Sequence, residues 1–143
     1  MIGFQFDDGG RAAAGFKGSA GDCVCRAIAI ATGLPYQTVY DALNARKTLM
    51  RQTKRIRGSA ARTGVARPIY ERYLEANGWR FVPTMQIGSG CKVHLRANEL
   101  PTGRLICRLS RHLTAVIDGD IHDTHDPSRG GSRCVYGYYY KEA

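Results

Sequence analysis

The feature that most limits how this chain can fold is a single change in the spacing of its apolar residues. Val24, Ala27, Ile28 and Ala31, then Val39 and Leu43, then Ile69, Tyr73 and Leu74 recur three or four positions apart, the spacing of one helical face. From Trp79 onward the apolar runs are short, β-branched or aromatic, and bounded by turn residues, as strands are. Helices followed by strands, rather than an alternation of the two, predict an α+β fold with N-terminal helices packed on a C-terminal antiparallel β-sheet. A chain of 143 residues suits a single domain with room for an adequate core.

Local signals sharpen the boundaries. Asp22 is a good helix N-cap, Gly33 ends the first helical pattern, and Pro35 suits the first turn of a second helix. A third helix is expected over about residues 67–77, stopping at Gly78. Strands are expected at 79–82, 104–109, 112–118, 121–124 and 135–140, with Asp118-Gly119 as a hairpin turn and a short helical turn within 95–100. Residues 1–21, rich in glycine and alanine, read as an irregular arm, and 83–93 as a loop.

The net charge is +9, and much of it is local: Arg46, Lys47, Arg51, Lys54, Arg55, Arg57, Arg62 and Arg67 fall in one stretch. With Gly58, Ser59 and Gly64 among them, they suggest a mobile basic loop near 51–67. A solvated loop is the preferred reading over a site for an anionic partner, and no aromatic residues interleave the charges to stack on single strands. No apolar run approaches the ~18 residues of a membrane span, and the start of the chain lacks a secretory pattern, so a cytoplasmic location without membrane contact is expected. Five cysteines, odd in number and unevenly placed, favour reduced thiols over a disulfide framework. Cys23, Cys25, His122 and His125 lack the usual zinc spacings, so neither metal nor cofactor is expected.

Cys23 has the position a sulfur nucleophile requires. At the first turn of a helix, unpaired N–H groups and the helix dipole favour thiolate, and the same groups can donate to an oxyanion. Cys25, two residues on, points about 200° away and is expected to pack. His112 opens a predicted strand, which would hold its ring on a rigid element. A carboxylate across the hairpin could orient it. Asp126 mirrors His112 if the connecting loop has three residues, whereas a two-residue turn makes Asp123 the same-face carboxylate. The first register is preferred. His94, His122 and His125 are assigned no role, and the tyrosines at 136 and 138–140 are read mainly as core.

The order Cys23, His112, Asp126, the Gly21-Asp22-Cys23 helix start and the Asp126-Pro127 pair resemble papain-like cysteine peptidases, closest to the C39-type branch. The stretches GDCVCRAIAIATG and SRHLTAVIDGDIHDTHDPSR are also similar to small papain-fold proteins of phages and bacteria. The resemblance implies a thiol hydrolase of peptide or protein substrates that cleaves an amide or isopeptide bond. In it Cys23 attacks, His112 transfers protons and Asp126 orients His112, with Asp123 as the alternative. Peptidases of this kind carry a glutamine six positions before the nucleophile; Lys17 stands there, read first as a surface lysine and otherwise as positive charge for an oxyanion. That departure sustains an alternative in which the fold is an inactive module that binds a protein or nucleic-acid partner.

Overall fold

The computed structural model describes residues 2–17, 21–86 and 88–141. Along the chain run β1 (Gly3–Phe6), α1 (Cys23–Thr32), α2 (Tyr36–Lys47), α3 (Lys54–Arg57), α4 (Arg67–Ala76), β2 (Trp79–Pro83), β3 (Val93–His94), β4 (Arg104–Leu109), β5 (His112–Ile117), β6 (Asp120–Asp123), β7 (Cys134–Val135) and β8 (Gly137–Lys141). A 3-10 turn at Ala97–Glu99 precedes β4. The described residues thus form a mixed α+β structure, with four α-helices and a six-stranded sheet ordered β1-β6-β5-β4-β8-β2. None of its helices is long and apolar enough to cross a membrane.

α1 is apolar almost all round because it is central. Val24, Cys25 and the run from Ala27 to Ala31 are buried, against β5 on one side and α2 on the other. Gly33, at φ 74°, closes the helix in the left-handed conformation that glycine takes most readily, its N–H donating to Ala29 O. β4 and β5 carry apolar side chains on both faces. Ile106, Leu113 and Ala115 join the helices, while Leu105, Cys107, Leu109 and Val116 join Leu95, Leu100 and Val135 beyond the sheet.

Four expectations need correction. The sheet is mixed rather than antiparallel, because β1, within the stretch read as an irregular arm, pairs parallel with β6 from Gly3↔Asp120 to Phe6↔Asp123. Residues 1 and 18–20 of that stretch lie outside the described residues. The basic stretch read as a loop near 51–67 contains the short helix α3: Ile56 and Ala61 are buried, Thr53 caps α3, and the Ala61 N–H donates to Asn44 Oδ1 at 3.0 Å. Cys91 and Cys134 form a disulfide rather than staying reduced, with Cα atoms 5.9 Å apart, tying the loop after β2 to β7. Asp22 precedes α1 but makes no side-chain cap; its carboxylate turns inward, for a reason that lies in the site.

Candidate active site

Cys23 is the first residue of α1 and His112 the first of β5, and the packing of these two elements joins them. The thiol lies beside the His112 ring and the Leu113 backbone N–H, both of which lower its pKa. His112 Nε2 is 2.7 Å from Asp123 Oδ2, which leaves Nδ1 as the ring nitrogen for sulfur. Thr114 Oγ1 donates to the same carboxylate oxygen at 2.7 Å, and the Thr124 N–H donates to the other at 2.7 Å. Asp123 is 3% exposed, so these donors, not water, satisfy it.

The hairpin turn selects that carboxylate. Asp118 and Gly119 both have positive φ, 48° and 83°, as a two-residue primed turn requires, and Ile117 pairs with Asp120. Continuing the register sets 123 opposite 114, and period-two alternation gives His112 and Thr114 the same side of β5. Asp126, preferred from the sequence, lies past the end of β6; it is exposed and accepts the Ser128 N–H at 2.9 Å. Lys17 fits its surface reading rather than the alternative oxyanion role. Its side chain is exposed and does not line the cleft at Cys23, while its carbonyl accepts from Arg11 and Arg62.

Electrostatics separate the cysteines. Burial pushes the Cys23 thiol up, but hydrogen bonds from His112 and the Leu113 N–H, with the charges of His112 and Arg26, outweigh it and bring the pKa below the ordinary 9.0. For His112 burial lowers the value, and hydrogen bonding and charge from Asp123 and Cys23 overcome it, raising it from 6.5 to about 9. Burial likewise raises Asp123, yet His112 and Thr114 hold its carboxyl below 3.8. Burial drives Cys25 and Cys107 to about 12. Of the three free cysteines, Cys23 is thus the one whose thiol is shifted toward the thiolate.

Arg26 and Thr114 complete the site, although sequence reasoning had not singled them out. Arg26 Nη1 binds Asp22, and its Nη2 lies 3.5 Å from Asp123 Oδ1, bridging the helix start to the carboxylate behind His112. Asp22, 1% exposed, also accepts from Tyr36 Oη at 2.6 Å and pairs with Arg11 at 3.3 Å. These partners draw it away from the helix end, leaving the first N–H groups of α1 without a side-chain cap. The i, i+4 spacing of Asp22 and Arg26 was the available signal. His125, assigned no role from the sequence, has its ring 5.1 Å from that of His112.

The site opens into a cleft of about 660 Å³, lined by Cys23, His112 and His125, by Thr63 and Gly64 of the basic stretch, and by Tyr70 of α4. Among the described residues no three His, Cys, Asp or Glu side chains are grouped to hold a metal ion. Comparison with protein-family models, curated proteins and solved structures finds no match to this chain.

Proposed function

We propose that this chain is a papain-like cysteine peptidase or amidase, hydrolysing an amide or isopeptide bond through an acyl-enzyme. The observation that carries this reading is the row of Cys23, His112 and Asp123, with Cys23 and His112 lining one cleft and His112 hydrogen-bonded to Asp123. The Cys23 thiolate adds to the substrate carbonyl, and the resulting oxyanion lies toward the uncapped N–H groups of α1. The imidazolium of His112 gives its proton to the leaving amine as the C–N bond breaks, forming a thioester on Cys23. Neutral His112 then takes a proton from water, whose oxygen attacks the thioester; collapse releases the acid and restores the thiolate–imidazolium pair. Asp123, fixed by Thr114 and Thr124, orients the ring and stabilises its charge throughout.

A second reading, a module that binds a protein or nucleic-acid partner without turnover, draws on one observation: Lys17, where papain-like peptidases carry glutamine, is exposed and outside the cleft. Digestion of a diverse peptide library, followed by mass spectrometry, separates the two. The hydrolase reading expects cleavage by the wild-type chain that is lost in Cys23→Ala and in His112→Ala. Cleavage surviving both substitutions removes the assigned residues; absence of cleavage by the wild-type chain selects the binding module.

A further inference from the structure

The cleft beside Cys23 is unevenly charged. Arg26, Arg55, Arg67, Arg108 and Arg111 line it, and Asp22 is the sole carboxylate among the lining residues. That carboxylate is 1% exposed and already engaged by Arg11, Arg26 and Tyr36. Arg26 is answered by Asp22 and Asp123, and Arg67 by Glu71 at 3.0 Å. Arg55, Arg108 and Arg111 have no carboxylate partner among the described residues.

These three come from separate elements and converge on one space. Arg55 belongs to α3, whose seating on Ile56 turns part of the basic stretch toward the cleft. Arg108, on β4, is half-buried, with its guanidinium 5.9 Å from the Tyr136 ring centroid, and pairs across the sheet with Leu113, the residue after His112. Arg111 directly precedes His112 at the tip of the β4–β5 hairpin, with φ 55°. Arg133 braces that tip by donating to Ser110 O at 2.6 Å. Arginine, planar and weakly hydrated, suits a carboxylate in a partly enclosed site, and unpaired cations in a concave space concentrate anions there.

We propose that Arg108 and Arg111, with Arg55 lining the same cleft, form a specificity subsite that selects peptides bearing aspartate or glutamate next to the amide presented to Cys23. This rests on the cleft belonging to the thiol hydrolase described above, but binding alone can test it. A cleft of about 660 Å³ matches a short peptide segment rather than a long backbone tracked over an open surface, which favours an acidic peptide over a polynucleotide.

The test measures equilibrium binding of two fluorescent peptide pools to the Cys23→Ala chain, one rich in glutamate and the other with glutamine at the same positions. The glutamate pool should bind at least tenfold more tightly near 50 mM salt, on the order expected for two charge-assisted contacts, and the difference should shrink as salt rises. Arg108→Gln with Arg111→Gln should reduce that ratio to below about threefold. Arg111→Gln alone, at an exposed turn, should lower it part of the way and guards against misfolding of the double variant. Equal binding of the two pools overturns the proposal, as does tighter binding of a single-stranded oligonucleotide than of a peptide of equal charge. Neither outcome depends on turnover, so loss of the hydrolase reading in the library digestion remains a separate result.

Discussion

Asp123 illustrates how a single carboxylate can fix a base. One oxygen accepts from both His112 and Thr114, the other from the Thr124 N–H, and Arg26 adds charge from the helix. Asp123→Asn keeps the shape but removes the charge and can present an N–H where His112 needs an acceptor. On a cleaved library peptide, kcat should fall by about 10²–10⁴-fold. Asp126→Ala should stay within about twofold in the same assay, because that side chain serves only the turn at Ser128. Asp22→Ala removes the buried carboxylate that Arg11, Arg26 and Tyr36 share. Urea denaturation should show a loss of about 3 kcal/mol.

Elements differ in how plainly the sequence announces them. β4 at 104–109 and α1 stand out because packing demands apolar residues over Leu105–Cys107 and Leu109 in the first and nearly all round the second. β1 is hidden for the opposite reason: it buries only the adjacent Ile2, leaves Phe4 and Phe6 exposed at 40% and 71%, and is held by backbone pairing that no periodicity records. α3 is obscured by its charges, since Ile56 alone anchors it. Cys23 and His112 were legible from their positions at element starts, whereas Asp123 required the turn length, which the Asp118-Gly119 dipeptide allowed but did not decide. Two glycines test the sheet contacts. A Cβ on Gly137 would lie 2.2 Å from the Phe81 ring and 2.9 Å from Val82 O, so Gly137→Ala should cost about 1–3 kcal/mol in denaturant titration. A Cβ on Gly3 meets only the Asp120 side chain, which can swing away, and Gly3→Ala should cost under about 0.5 kcal/mol.

Across the whole molecule, the five cysteines occupy three chemical situations. Cys91 and Cys134 close a loop of sequence separation 43, worth about 4 kcal/mol in the chain-entropy account, so a reductant should lower the melting temperature of the Cys23→Ala chain as well as that of the wild type. Cys25 and Cys107 are buried and held protonated, while Cys23 is partly open beside His112. The most direct test is the rate of iodoacetamide alkylation at each cysteine of the unreduced native chain, followed by peptide mass spectrometry from pH 5 to 10. Cys23 should react first and already be fast below the ordinary thiol range, with Cys25 and Cys107 silent until unfolding. In His112→Gln the Cys23 profile should move upward toward the ordinary 9.0, because burial, which raises the pKa, is left without its main opponent. A Cys23 profile that rises only near that ordinary value in the wild type, or that is indifferent to His112→Gln, would contradict an activated thiolate.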